Sequence, residues 1–193
     1  MDNVKILIHG YARKPPGGRW DATSTCTLVK SCGKKILIDP GMFPDKLKAS
    51  LEKERLLPED IDIIVNSHSH PDHTRNSRLF AKEKVFDIFK RYKQIPEDMT
   101  VPGTKVKVIF TPGHTEKHVA FLVETPEGRC GIAGVAIWWK DDEEQETDYR
   151  SLIEHNDPVA KDQLLIQESR EKLFNLADYI IPGHGKMFRV PKQ

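Results

Sequence analysis

A chain of 193 residues is long enough for one domain with a substantial core, and we predict a single domain over residues 1–193. Its 30 basic residues nearly balance its 29 acidic residues, so net charge does not favour a nucleic-acid-binding protein. No apolar stretch approaches the roughly 20 residues that span a bilayer, and the N-terminus lacks a signal-peptide pattern. We therefore expect no membrane partner and a cytoplasmic location. The three cysteines, Cys26, Cys32 and Cys130, are odd in number and widely spaced, which argues against a disulfide framework.

Short apolar runs rich in β-branched residues recur along the chain and predict strands. Most of these runs end in Gly, Pro, Asp or Ser, which are typical turn residues. The predicted strands cover residues 4–10, 26–31, 34–41, 61–67, 105–110, 118–124, 130–138 and 177–183. Ser31, Cys32 and Gly33 predict a hairpin turn between the second and third strands.

Helices are predicted between the strands from the spacing of apolar residues. They cover residues 45–56, 72–82 and 158–176. In the third helix, Asp157 is the predicted cap and Pro158 suits the first turn. Residues 12–20 contain two prolines and two glycines and predict a projecting flap, whereas residues 140–150 predict an acidic, solvated loop. The mixture of elements indicates a layered α/β fold with sheets inside and helices outside.

The segment HSHPDH, residues 68–73, places three histidines and an aspartate within six residues. Divalent transition metals prefer such ligands. If the preceding strand continues, His68 and His70 project to the same side. Pro71 then starts a turn that directs Asp72 and His73 elsewhere. The segment therefore predicts two pairs of ligands for two neighbouring metal positions.

Two further histidines occur in matching contexts, FTPGHT around His114 and IIPGHG around His184. Each follows a predicted strand and a Pro-Gly turn, which places the histidine at a strand end. Together with the HSHPDH segment, this repetition predicts that both histidines are metal ligands. His9, His118 and His155 have no such motif, so we expect them to have structural or surface roles.

The segments SHSHPDHTRN, TPGHT and PGHG, with ILIDPG upstream, resemble the motifs of the metallo-β-lactamase superfamily of metallohydrolases, in the family's order. The resemblance implies an α/β fold, a four-layer αβ/βα sandwich with the metal site at one edge of the two sheets. It implies a first metal on His68, His70 and His114 and a second on Asp72, His73 and His184. It also implies that Asp39 supports the ligand loop by hydrogen bonding. The expected cofactor is Zn²⁺, one or two ions per chain, although iron and manganese suit the same ligands.

The chain departs from the superfamily pattern at Val135. In most of the superfamily's hydrolases, a strand before the last histidine ends in Gly-Asp, and that carboxylate bridges both metals. Here Gly134 is followed by Val135, which cannot bind a metal. Either one metal remains on three histidines, or both sites persist with the second weaker, and the ligand count favours the latter. One sequence does not distinguish a natural valine from an engineered or sporadic one.

The resemblance implies a hydrolase in which a metal-activated hydroxide attacks an ester, thioester, lactone, amide or phosphodiester bond. Asp72 is the expected catalytic residue, because it is placed to orient the nucleophile and take up its proton. We expect a small-molecule substrate, with Tyr11, Trp20 and Lys186 as candidate substrate-binding residues.

Two alternatives stay open. HGYARK, NDPVAKDQ and the C-terminal ADYIIPGHGKMFRV resemble the compact metallo-β-lactamase-domain-containing protein 1 group, whose animal members are linked to RNA processing, so one alternative is an RNA-processing nuclease. The other is a metal-binding protein whose catalysis is lost or weak because of Val135. The adjacent Trp138 and Trp139 are consistent with a homodimer contact.

Overall fold

The computed structural model describes residues 1–191, in which eleven β-strands and five α-helices alternate with short 3₁₀ turns. The strands are β1 (Asn3–Ile8), β2 (Tyr11–Arg13), β3 (Asp21–Thr23), β4 (Cys26–Ser31), β5 (Lys34–Ile38), β6 (Ile63–Val65), β7 (Lys107–Phe110), β8 (Val119–Thr125), β9 (Gly128–Gly134), β10 (Tyr179–Pro182) and β11 (Phe188–Arg189). The α-helices are α1 (Pro44–Lys53), α2 (Pro71–Thr74), α3 (Ile88–Arg91), α4 (Tyr149–Glu154) and α5 (Gln163–Leu176). The 3₁₀ turns are Pro58–Asp60, Arg75–Leu79 and Lys82–Lys84. Within residues 1–191, no helix combines the length and apolar composition needed to cross a membrane.

Two large β-sheets form the framework of the fold. The first sheet has the order β1-β4-β5-β6, and the second has the order β11-β10-β9-β8-β7. Strands β5 and β6 are parallel, and so are β9 and β10. Because β7 and β9 both run antiparallel to β8, strands β7, β9 and β10 point the same way. Strands β2 and β3 form a separate hairpin, which we call the flap hairpin.

The two sheets pack face to face, and helices cover their outer faces. Alternate residues along a strand point to opposite faces. Ile36 and Ile38 accordingly pack in the core between the sheets, whereas Leu37 packs in a separate core with residues of α1. On the second sheet, Phe121 belongs to the central core and Leu122 to a core with residues of α5. Three apolar cores thus separate four layers, which confirms the predicted αβ/βα sandwich.

Two predicted elements near the HSHPDH and CGIAGVAIW segments are shorter than expected. The strand predicted over 130–138 ends at Gly134, whose φ of 52° is left-handed and whose position leaves no room for a Cβ beside Ser67. The helix predicted over 72–82 is α2 followed by a 3₁₀ turn. The Asn76 N–H donates to the Gly41 carbonyl at 3.0 Å instead of continuing an α-helical ladder.

The helix predicted over 158–176 begins at Gln163, five residues late. Its cap is Asp162, whose carboxylate accepts a hydrogen bond from the Leu165 N–H at 3.0 Å. The Asp162 N–H itself donates to the Gly113 carbonyl, so the preceding residues are a loop. Asp157 was therefore wrongly predicted as the cap.

Candidate metal centre

The histidine and aspartate motifs lie at the carboxyl ends of strands from both sheets. Residues 68–73 follow β6, and Asp39 directly follows the neighbouring parallel strand β5. His114 follows β7 and His184 follows β10, and these two strands point the same way. The topology therefore gathers the four loops at one edge of the sandwich.

Two groups of potential metal ligands form at this edge. In each group, one ligand atom from every residue lies within 4.8 Å of the others; the groups are His68, His70 and His114, and Asp72, His73 and His184. His114 Nε2 lies 3.1 Å from His70 Nδ1, and Asp72 Oδ2 lies 3.4 Å from His184 Nε2 and 3.6 Å from His73 Nε2. Ligand atoms at the corners of a tetrahedron around one zinc ion are about 3.3 Å apart, given Zn–N distances of about 2.0 Å. The six predicted ligands are thus spaced as ligands of two neighbouring metals would be.

Four of the five histidine rings in these groups are held by the protein through Nδ1. The partners of Nδ1 are Ser67 Oγ for His68 (3.0 Å), Asp39 Oδ2 for His73 (2.8 Å), Asp157 Oδ2 for His114 (2.6 Å) and the Thr23 carbonyl for His184 (3.1 Å). A proton on Nδ1 in these bonds leaves Nε2 as the atom with a free lone pair. His68 Nε2 and His73 Nε2 are buried without a hydrogen-bond partner, an arrangement that a bound cation would satisfy.

Asp39 lies beneath the ligand loop, in the place that the superfamily resemblance implies. Its Oδ1 accepts the Ser67 N–H at 2.7 Å, and its Oδ2 accepts the Ser67 hydroxyl at 2.7 Å as well as His73. Asp39 adopts a left-handed φ of 49°, which aspartate tolerates better than most residues. Burial opposes a charge on His73, but the Asp39 carboxylate beside the ring raises the pKa of His73 above its ordinary value.

Asp157 supports the first group as Asp39 supports the second, and the sequence prediction did not include it. Asp157 is buried, with Oδ2 on His114 and Oδ1 accepting the Val159 N–H at 3.0 Å. Burial opposes its charge, but the hydrogen bond and charge of the His114 ring, together with the Val159 N–H, lower the pKa of Asp157. The same loop is tied down by the buried Arg170, which donates to the carbonyls of His155 and Ile153.

At His68, His70 and Asp72, the electrostatics favour the protonation states that bind metals, which are neutral imidazole and ionised carboxylate. Burial, reinforced by the neighbouring rings, holds the pKa of His68 well below its ordinary value, and burial likewise lowers the pKa of His70. Burial disfavours the charge on Asp72, but the rings of His184 and His73 hold its pKa well below the usual range. Asp72 is therefore ionised at neutral pH.

His118 is buried next to His68, with their rings 5.2 Å apart, without belonging to either ligand group. Its Nδ1 bonds the Thr111 hydroxyl at 2.9 Å, and its Nε2 accepts the Val135 N–H at 3.2 Å. Burial lowers the pKa of His118 to about 3, so the ring is neutral and can accept that hydrogen bond. This geometry fits the structural role expected for His118, and it fixes the backbone of Val135.

A cavity of about 250 Å³ opens over the two groups. Its polar wall consists of His70, Asp72, His114 and His184. Its apolar wall consists of Ala12, Trp20, Ala22, Met42, Pro71, Val135, Trp138 and Val159. Val135 thus faces the cavity beside candidate ligands of both groups. Asp141, the next acidic residue along the chain, instead accepts the Ala12 N–H and pairs with Arg13 on the flap hairpin.

The structure brings one of the three candidate substrate-binding residues into this cavity. Trp20 lines it, and its ring lies 5.9 Å from that of Trp138. Tyr11 instead stacks on Phe43 and donates to Asp21, and Lys186 is exposed outside the cavity lining. Each of the adjacent tryptophans is 4% exposed and packs inside the chain, and the homodimer contact stays a prediction.

Comparison with known proteins gives the family. The profile of the metallo-β-lactamase superfamily matches residues 19–100. Metallo-beta-lactamase domain-containing protein 1 of Mus musculus is 30% identical over 206 residues, covering 97% of this chain and 75% of the mouse protein. The chain belongs to the metallo-β-lactamase superfamily. A more distant relative is an atrochrysone carboxyl ACP thioesterase of Aspergillus fumigatus. It is 25% identical to this chain, and the match covers 100% of this chain and 61% of that protein.

A solved structure agrees with the superfamily fold. A Thermotoga maritima protein assigned to the metallo-beta-lactamases superposes with a TM-score of 0.71 at 22% identity, covering 97% of this chain and 99% of that one. The resemblance read from the motifs is therefore confirmed, and the chain is a metallo-β-lactamase superfamily hydrolase.

Proposed function

We propose that this superfamily hydrolase binds two zinc ions and cleaves small acyl compounds, namely esters, thioesters, lactones or amides. His68, His70 and His114 would hold the first ion, and Asp72, His73 and His184 would hold the second, more weakly. The observation that carries the proposal is the anchoring of four rings through Nδ1 around two buried Nε2 atoms that lack any partner.

Zinc in such a site supplies a Lewis acid and lowers the pKa of bound water from about 15.7 towards 7. The chain itself contributes Asp72. Its Oδ2 faces His73 and His184, so Oδ1 is the atom that we propose orients the attacking water and receives its proton. A carboxylate held ionised and within the cavity wall is suited to this role.

The name of the Aspergillus relative supports acyl transfer to water as the reaction, because a thioesterase cleaves a carbonyl–sulfur bond. An acyl substrate also fits a small cavity with mainly apolar walls. Cleavage confined to phosphodiesters would instead favour the RNA-processing alternative, and failure of every substrate with any metal would favour a non-catalytic metal-binding protein. A panel of ester, thioester, lactone and phosphodiester substrates separates these three functions.

Metal content tests the ligand assignment independently of turnover. We expect up to two zinc ions per purified chain by plasma mass spectrometry, with the second removed first by a graded series of chelators. Val135→Asp would slow the loss of the second ion, because a carboxylate would join ligands of both groups at the cavity wall. Val135→Asn is the matched control, because asparagine has the size of aspartate without its charge. Equal zinc retention in the two variants would contradict our placement of Val135 between the metals.

We also propose a cytoplasmic location. Cys26, Cys32 and Cys130 are all free thiols, as expected in a reducing compartment. Fractionation of cells that express the tagged chain would test this, and recovery in an oxidising compartment would count against it.

A further inference from the structure

Five of the eight apolar residues in the cavity wall come from the flap hairpin, the residue before β3 and the segment after β9. Ala12 and Ala22 come from the flap hairpin and Trp20 from just before β3, while Val135 and Trp138 follow β9. Ala12, Val135 and Trp138 are buried together in one cluster, with Ala22 packed against it. These side chains therefore form one apolar surface next to the candidate metal ligands, and the Trp138 ring lies 5.7 Å from the His184 ring.

Basic side chains near the cavity are engaged elsewhere. Among residues 1–191, no lysine or arginine lines the cavity. Arg13 is paired with Asp141, and the Lys14 ammonium lies 5.5 Å from the Trp20 ring without being part of the lining. An anionic substituent held against the apolar wall, away from the candidate metal ligands, would thus lose its hydration without meeting a side-chain cation.

The cavity is also small. Ligand pockets for drug-sized molecules commonly have volumes of about 300–1,000 Å³, and this one has about 250 Å³. A group of a few carbon atoms fills such a space beside the metal ligands. Two tryptophans and two valines are large enough to contact each added methylene of that group until the cavity is full.

We propose that this cavity is an acyl pocket that selects short, uncharged aliphatic acyl groups, with Trp20, Val135 and Val159 as the residues that set the selection. The inference rests on the proposed function and specifies its substrate class. Val159 lies at the rim, since it is 45% exposed while lining the cavity. A charged side chain at position 159 would therefore reach the cavity without being buried in the core.

Hydrolysis of p-nitrophenyl esters by the zinc-loaded chain tests the selection. Burial of one methylene group strengthens binding about fourfold. We therefore expect kcat/KM to rise roughly fourfold per methylene from the acetate ester to the butyrate ester. The mono-p-nitrophenyl ester of succinate, which carries a carboxylate at similar length, is expected to be at least about tenfold poorer than the butyrate ester. Trp20→Ala is expected to flatten the chain-length dependence, whereas Tyr92→Ala, an equally exposed aromatic outside the cavity, leaves it intact.

A charge variant provides the second test. Val159→Lys places an ammonium at the rim and is expected to improve the succinate ester relative to the butyrate ester by about fivefold or more. Leu164→Lys is the matched control, because Leu164 is 73% exposed and outside the lining. Zinc content is measured for every variant, so that changes in loading are not mistaken for changes in selection.

The outcomes separate the inference from the proposed function. Ester hydrolysis without preference for length, or with equal rates for succinate and butyrate esters, overturns the acyl pocket and leaves the hydrolase intact. Cleavage of bis(p-nitrophenyl) phosphate alone overturns both. If no compound is turned over, titration with butyramide and succinamate followed by tryptophan fluorescence decides the matter, because two of the three tryptophans line the cavity. Tighter binding of butyramide supports the pocket, and equal binding overturns it.

Discussion

Replacing Asp157 by asparagine tests whether Asp157 determines which nitrogen of the His114 ring carries the proton. Asp157 Oδ2 accepts from His114 Nδ1 at 2.6 Å, while Oδ1 accepts the Val159 N–H at 3.0 Å. Asparagine keeps the size but replaces one of these acceptors by an NH₂ group. If that group faces His114, the ring must carry its proton on Nε2, the atom that lies 3.1 Å from His70 Nδ1 in the first ligand group. If the amide is flipped, two donors face each other at Val159.

The expected loss of zinc affinity follows from the strength of the hydrogen bond between Asp157 and His114. Removing a partner that orients a ligating histidine commonly weakens metal binding by about 10- to 100-fold, which is about 1.4–2.7 kcal/mol. A hydrogen bond to a charged group contributes about 1.5–3 kcal/mol, and this one is short and buried. We therefore expect the dissociation constant of the first zinc ion to rise by about one to two orders of magnitude.

Competition with a colorimetric zinc chelator measures this change directly. Asp178→Asn is the matched control: Asp178 also accepts a backbone N–H, from Arg129 at 2.8 Å, but it precedes β10 while the candidate ligands follow the strands. Circular dichroism would verify that both variants are folded. Wild-type zinc affinity in folded Asp157→Asn would refute the reasoning, because it would show that His114 does not depend on this carboxylate for its proton arrangement.

Three further predictions concern stability and accessibility. Arg170→Met should lower the free energy of unfolding in urea by about 3 kcal/mol or more, because the Ala136, Ile153 and His155 carbonyls lose a buried donor; a loss below about 1 kcal/mol would contradict this. In the native protein, a disulfide reagent should react rapidly with Cys32 alone, because Cys32 is exposed whereas Cys26 and Cys130 are buried. Burial also raises the pKa of the Cys130 thiol to about 12. Fast reaction of all three thiols would contradict this prediction. Zinc at about 100 times its dissociation constant should add about 2.7 kcal/mol of stability, seen as a higher Tm that a chelator reverses, and an unchanged Tm would argue against binding to the folded state.

The ligand loops could be predicted from the sequence because their chemistry is local. Residues 68–73 concentrate the ligands in one segment, and the Pro-Gly turns before His114 and His184 mark strand ends without reference to distant residues. The layered α/β class was predicted from the mixture of strands and helices, and the four-layer sandwich from the resemblance of the motifs to the superfamily.

What the sequence did not reveal depends on contacts between distant segments. Asp157 precedes a proline and a helical pattern, so a helix cap is its natural interpretation, yet its partner His114 lies 43 residues earlier. The helix predicted from residue 72 onward ends early because Asn76 bonds the loop at Gly41. The resemblance to a family segment, NDPVAKDQ, was the available signal for Asp157, but it marked the segment without assigning that residue a role.

The side chain of Val135 is 3% exposed and belongs to an apolar cluster in the cavity wall. Its N–H is bonded to a His118 ring that burial keeps neutral, and its side chain packs with Ala12 and Trp138. A carboxylate at this position would gain the metals but would also lie against an apolar cluster that cannot solvate it. The same packing makes valine part of the cavity wall, so the proposed second metal site and the proposed acyl pocket both depend on this residue.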